Sequence, residues 1–510
     1  MPGDTDHFLA YTTARGSLYI ISKNLVLGIS SSIFFIFIAR FLPNISDVGL
    51  VYAFQLLITI GVILASLGLT NTVTRFMSYH IGAGREDMAK GISILIFRIV
   101  LLSSIIFSFI LYILADHIAT IVFHNIDYVH LIQLASIDII LFSMITCSNN
   151  ILYSLQEFRK VATISLLNSL LKFTVPFALL MFGMGVDGII IGFIISDAVS
   201  LILFIYILKP YIRGIGAPIH EMRSLFEYSL PLYGSIVLNF LSLNIDYYLL
   251  LFLSSLFTAG LYSPAVILGT ALIMILAGFG ETILPYFSRT YGKSGIESLK
   301  YLSRSVSRYL FLLYFPLGFA ILASSSPIIL GIFGERYSES IYPSVIIILA
   351  ITLTSIGTVF NFILMSAGHS RIFLTSTLIA LSVQLAISIA TISSIGALGA
   401  AVARASAYTI LFLYPAYRLK QMIGLDYDRS ALRNGLIGSV IMASIILSLN
   451  FYFSNLYYIL PFNLFIGFLC YLMFLRFTHT MNIKDFEIIN NILSGKLRRP
   501  IGLLSKIVIR

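Results

Sequence analysis

Charge is scarce in these 510 residues: 11% are Asp, Glu, Lys or Arg, against 58% hydrophobic. A soluble domain carries about 25% charged residues, so the scarcity excludes a soluble globular protein and makes the chain a polytopic membrane protein. Cysteine is nearly absent. Cys147 and Cys470 both fall inside apolar runs, which excludes a disulfide framework and leaves the redox compartment unreadable. Asp4 and Asp6 stand where a signal peptide has a basic region, and no small-residue cleavage site follows, so the first membrane run is expected to be retained. No metal-ligand spacing, nucleophile elbow or P-loop occurs. The expectation is a non-enzyme that is not its own ATPase, with no metal and no cofactor beyond a coupling ion, proton or sodium.

What is there instead is a series of apolar runs, each long enough to span a bilayer at about 20 residues. They fall near 17–40, 49–71, 92–115, 129–153, 161–182, 187–208, 229–253, 259–285, 303–324, 340–365, 370–393, 396–418, 432–453 and 457–478. This predicts about 14 transmembrane helices in an all-α polytopic membrane protein. A charged stretch bearing Arg289, Lys293 and Lys300 reads as a loop between the eighth and ninth runs.

The net charge of +10 is not a nucleic-acid signal, because no aromatic interleaving or binding fold accompanies it. With the N-terminus cytoplasmic, basic residues collect on the inner side, from Arg15 and Lys23 through Arg429 and Arg433 to the tail. The outer links hold only Arg40 and Arg336. By the positive-inside rule both termini are cytoplasmic and the expected location is the plasma membrane. Residues 481–510 form a basic cytoplasmic tail, read as an amphipathic segment on an anionic leaflet. Gly82-Ala83-Gly84 and the sequon Asn44-Ile45-Ser46 both read as turns.

The chain also repeats itself. Phe41, Leu42, Gly49, Leu50, Leu57, Thr59, Phe76 and Gly84 meet identical residues 211 positions later. Ile151, Leu152, Ser154, Arg159, Thr163 and Leu166 do so at 212, and Gly185, Gly188, Tyr206, Leu208 and Lys209 at 211 again. A near-constant offset over six runs predicts two six-helix lobes, 1–210 and 229–420, joined by a cytoplasmic linker at 211–228. Six is even, so the copies run the same way through the membrane, as a parallel pseudo-twofold repeat with the substrate path at their interface. The two additional helices, 430–480, lie outside the repeat.

Several stretches resemble the polysaccharide-transport branch of the multidrug/oligosaccharidyl-lipid/polysaccharide exporter superfamily: ARFLP…GL, YSLPL, NIDYYLL, GLYSPA and ILPYFSRTYGKSG. The resemblance covers about 15–420 and is strongest at 228–295. It implies an alternating-access flippase that moves a polyprenyl-(di)phosphate-linked oligosaccharide from the inner to the outer leaflet, with membrane lipids and glycan polymerases or transferases as partners. The alternative branch implies an ion-coupled multidrug or organic-cation antiporter. A third reading is a membrane scaffold in a glycan-assembly complex.

Candidate site residues follow from depth and spacing. Ser235, Asn239, Ser242 and Asp246 are spaced 4, 3 and 4, hence on one helical face. That face lines a cavity or forms a hydrogen-bonded helix seam. Gln55, Thr59, Ser66 and Thr70 offer a corresponding stripe in the second run. An anionic carrier needs cations, and Lys23, Arg75, Arg98, Lys172 and Arg404 are the candidates. Lys172 lies near mid-membrane, where pairing with Asp138 or Asp197 competes with a substrate role. Asp246 and Glu281 are the candidates for ion coupling, since acids inside a span are costly.

Overall fold

A backbone in hydrocarbon must satisfy its own hydrogen bonds, which leaves helices as the available solution for runs of this kind. The computed structural model describes residues 27–480, apart from 29, 215–218, 368, 423, 425–426 and 454–458. Among the described residues the regular structure is all helical, with no strand. Thirteen helices are long and apolar enough to cross a membrane, and they coincide with thirteen of the fourteen expected runs. The described part of the first run, near 17–40, is the apolar helix Ser30–Phe41, whereas Lys23 and the tail 481–510 lie outside the described residues.

By internal contacts the chain divides into two compact units, Met1–Ser263 and Pro264–Arg510. The first holds α1 (Ser30–Phe41), α2 (Ile45–Ser66), α3 (Leu69–Gly82), α4 (Glu86–Ile113) and the short α5 (Ala115–Ile121). It continues through α6 (Val129–Ser154), α7 (Phe158–Met181), α8 (Gly185–Ile212) and α9 (Ile219–Leu253) to the start of α10 (Leu256–Ala323). The backbone of α9 is already helical over 219–228, within the expected linker.

Two departures from the sequence expectation have physical causes. The second run is two helices, because Leu67 and Gly68 both take positive φ. Only glycine fits the second position, since a Cβ there would meet the Ser229 carbonyl at 2.6 Å. The polar series Gln55, Thr59, Ser66, Thr70 is therefore interrupted and is no single stripe. The expected loop at 286–302 is helical, inside α10. Charge decides where a helix leaves the membrane, whereas a helix stop needs a proline or a capping glycine geometry; no proline occurs between 286 and 302.

Close packing inside the first unit relies on small residues, as in membrane bundles generally. A Cβ on Gly49 would collide with the Leu256 carbonyl, and one on Gly260 with the Ile45 carbonyl. Leu256 and Gly260 stand 211 positions after Ile45 and Gly49, so this contact is its own image under the repeat. Beside it, the hydroxyls of Tyr247 and Tyr248 donate to the carbonyls of Gly49 (3.1 Å) and Leu56 (2.9 Å).

The second unit continues α10 and adds the short α11 (Ser325–Ile328), α12 (Ile341–Thr354), α13 (Ile356–Ser366), α14 (Ser370–Ile395) and α15 (Ala397–Met422). The chain closes on the pair α16 (Arg429–Tyr452) and α17 (Leu460–Phe477). That pair docks onto residues 303–323. Tyr471 donates to the Leu312 carbonyl at 2.8 Å, and Gly435 lets α16 approach the Phe311 carbonyl. Arg308 pairs with Asp428 at 2.9 Å and also donates to the Thr480 carbonyl. Asp428 caps α16 through the Ala431 N–H at 2.8 Å. Burial pushes its carboxyl up, but the Ala431 bond and the Arg308 guanidinium outweigh burial and hold it below the usual carboxylate range.

Candidate functional site

Polar residues at helical spacing recur on four neighbouring helices of the first unit. On α2 they are Gln55 and Thr59, one turn apart. On α6 they are Asp138, Thr146 and Asn149, with Phe142 and Ile145 between them. On α7 they are Ser165, Asn168, Ser169 and Lys172, and on α8 Asp197 and Ser200 flanked by Phe193 and Phe204. Steps of three and four place each set on one face. Those faces, with Ser30, Ser31 and Phe34 of α1, enclose a cavity of about 420 Å³.

A charged cluster forms one wall. Lys172 Nζ lies 2.8 Å from Asp197 Oδ2. Asn168 Nδ2 donates to Asp197 Oδ1 and to Ser200 Oγ, each at 2.8 Å. The Asp138 carboxyl stands close enough to feel the charges of Asp197 and Lys172. Asp138 is 2% exposed and Asp197 fully buried, whereas the Lys172 side chain is 28% exposed. The ammonium also faces two rings, 4.6 Å from the Phe142 centroid and 5.8 Å from that of Phe193. Such a cluster stands because the ammonium has a carboxylate partner; a lone buried charge would not persist.

The expected site residues distribute unevenly. Gln55 and Lys172 meet in this cavity. Arg98 does not reach it; its guanidinium donates to the Gly214 carbonyl at 2.9 Å from an exposed position, because it sits on the outward face of α4. Arg75, exposed on α3, stacks over the Tyr228 ring at 4.1 Å. On α9 the series splits by depth: Asn239 is exposed, while Ser242 and Asp246 are buried. Asp246 accepts from the Tyr262 hydroxyl at 2.5 Å, a hydrogen bond across a helix crossing. Arg404 is buried on α15 in the second unit. Lys23 and the Glu281 side chain lie outside the described residues.

Sequence reading passed over Asn149, Ser165, Asn168 and Ser169. The signal for the α7 set was present as the spacing 165, 168, 169 and 172, ending on a lysine. Its acid and amide partners stand on other helices, and only packing brings them together.

A model of the family described as polysaccharide biosynthesis protein matches residues 37–342. No curated protein sequence matches the chain significantly. Among solved structures, the lipid II flippase MurJ in an inward closed conformation superposes with a TM-score of 0.69 at 15% identity, over 90% of this chain and 98% of that one. An inward-facing multidrug resistance MATE family transporter of the MOP superfamily gives 0.64 at 16% identity, over 78% and 95%. A MOP superfamily transporter from Pyrococcus furiosus gives 0.58 at 16% identity, over 80% and 95%. At these identities the likeness is one of fold.

Proposed function

The chain belongs to the polysaccharide biosynthesis protein family, in the polysaccharide-transport branch of the exporter superfamily, and on that premise we propose that it is a lipid-linked oligosaccharide flippase. Its substrate is a polyprenyl-(di)phosphate-linked oligosaccharide, carried from the inner to the outer leaflet of the plasma membrane for cell-surface polysaccharide or glycoprotein glycan assembly. Both termini face the cytoplasm, where the basic residues collect. The family match over residues 37–342 carries this reading, and the MurJ-like fold supports it.

In this mechanism the lipid tail stays in the bilayer while the sugar passes through the protein, and the two lobes alternate between inward and outward access. Arg75 and Arg404 are the cations assigned to the carrier phosphate, with Lys23 at the entrance. Asp246 is assigned to ion coupling, with Glu281 as its companion, because protonation or sodium binding would compete with the Tyr262 hydroxyl for the carboxylate. Glycan polymerases or transferases are the partners that would use the delivered sugar.

The test is flipping in proteoliposomes loaded with defined lipid-linked sugars. Wild-type protein should move the sugar head group across the bilayer, Arg404→Ala should slow transfer at least tenfold, and Asp246→Asn should change its pH or sodium dependence. Absence of transfer for every polyprenyl-linked sugar removes the reading. The MATE likeness favours one alternative, an ion-coupled organic-cation antiporter. Proton- or sodium-driven efflux of a fluorescent cation from the same vesicles, without sugar transfer, would establish that alternative instead.

A further inference from the structure

The atoms left without partners on the cavity wall are hydrogen-bond acceptors. Oδ1 of Asp138 and Oδ1 of Asn149 are each shut off from solvent and accept from no described residue. A buried polar atom without a partner is costly and rare, and here both belong to residues that line the same cavity. They stand on α6 eleven residues apart, roughly 16 Å at the helical rise of 1.5 Å per residue. A ligand that satisfies both must supply donors and must be longer than a single pyranose ring.

The charge of the wall narrows the choice. Lys172 was the expected phosphate ligand, but Asp197 already holds its ammonium, and Asp138 adds a second carboxyl to the same cluster. One ammonium and two carboxyls sum to −1, or to zero with one shared proton, and never to a net cation. A phosphate brings only acceptors and negative charge, so it would meet like with like. An organic cation would have to displace Lys172 from its place beside Phe142 and Phe193. A neutral sugar meets neither obstacle. Its hydroxyls donate to orphaned acceptors, and its apolar ring face lies against an aromatic side chain.

We propose that the cavity between α1, α2, α6, α7 and α8 is a glycan subsite that binds the uncharged sugar residues of the substrate and excludes its phosphate, with Asp138 and Asn149 accepting from sugar hydroxyls. The proposal rests on the flippase reading and assigns a division of labour within it. The sugar is selected inside the first unit, while the phosphate is held elsewhere.

The purified full-length protein can be tested in detergent with a maleimide dye that fluoresces when buried Cys147 becomes exposed on thermal unfolding. The probes are di-N-acetylchitobiose, maltose and lactose, then inorganic pyrophosphate and tetraphenylphosphonium. At least one disaccharide is expected to raise the unfolding midpoint by a few degrees, because a ligand that binds only the folded state stabilises it. Pyrophosphate and tetraphenylphosphonium are expected to leave it unchanged. Asp138→Asn and Asn149→Leu should each raise the sugar concentration needed for that shift roughly tenfold, the equivalent of one hydrogen bond. Asn149→Leu carries the test alone if Asp138→Asn does not fold.

No shift with any disaccharide, a shift that survives in Asn149→Leu, or a pyrophosphate or tetraphenylphosphonium shift lost in Lys172→Met overturns the proposal. Proteoliposome transfer separates it from the flippase reading. Transfer of lipid-linked sugar without any disaccharide shift refutes the subsite and keeps the flippase. A disaccharide shift without transfer refutes the flippase and keeps a glycan site.

Discussion

Positions related by the sequence offset of 211 or 212 place their buried charge differently. In the first unit Lys172 of α7 sits beside Asp197, Asp138 and Asn168. The residues 212 positions after Lys172 and Asn168 are Gln384 and Ala380, and 211 after Asp197 is Tyr408. Asp138 corresponds to Leu349 or Ala350, apolar either way. Conversely, Arg404, the buried cation of the second unit, stands 211 positions after Phe193, whose ring faces the Lys172 ammonium. Positions at a near-constant offset in the sequence thus have two different surroundings. One interior is an ion-paired, hydroxyl-lined cavity. The other keeps a fully buried amide, Gln384, whose oxygen and nitrogen take no partner among the described residues.

The largest expected effect breaks the charged side of that contrast. Asp197→Ala leaves the Lys172 ammonium without its carboxylate and should cost about 3 kcal/mol, the low end for a broken buried pair, because Lys172 keeps some access to the cavity. Lys172→Met combined with Asp197→Leu should recover most of that loss. Thermal or denaturant unfolding measures both, and a single variant as stable as wild type would mean that the pair is not formed.

Next comes the contact that the two copies share. Gly49→Val and Gly260→Val should each destabilise by about 1–3 kcal/mol, the range for overpacking, and by nearly equal amounts, since each drives a side chain into the other's main chain. Their double variant should cost less than the two losses added, because both act on one contact. Strongly unequal single losses would break the local symmetry.

A smaller change tests the buried amide on the other side of the contrast. Gln384→Leu replaces an unpartnered buried amide with an apolar side chain and should leave stability unchanged or raise it by about 1 kcal/mol. A clear loss would show that the amide is hydrogen-bonded.

An effect of similar size lies outside the membrane spans, at Asp428. Its carboxyl is held below the usual range in the folded state, so its contribution is fully present above the unfolded carboxylate pKa of about 3.9. That contribution disappears as pH falls through the lower folded value. Asp428→Asn should cost about 1 kcal/mol at neutral pH, as for loss of a helix cap, and flatten the acid limb of the stability profile below pH 4. An unchanged acid limb would assign the loss to other carboxylates.

The spans were legible because apolar length is a property of the chain itself. The break at Leu67 and Gly68 was not, since Gly68 is demanded by Ser229, 161 residues away in sequence. The helix through 286–302 was misread because charge was taken as a sign of chain reversal. At the site, Gln55 could be singled out by its polar series and Lys172 by depth, but their common cavity depends on five helices. Arg98 reads from the sequence as shallower than Lys172, and the outward face of α4 does leave its guanidinium resting on Gly214 while the Lys172 ammonium stands inside the wall.

The meeting of residues 45–49 with 256–260 has a genetic consequence. Like the contact of an isologous dimer, it presents the same surface from both sides, and on both sides the nearest atom is a main-chain carbonyl oxygen. A clash against a side chain can be relieved by trimming that side chain, whereas a clash against a carbonyl cannot. Suppressors of a Gly49 or Gly260 defect should therefore be absent from the partner segment. They should arise at a distance, among the residues that set how closely α2 and α10 approach.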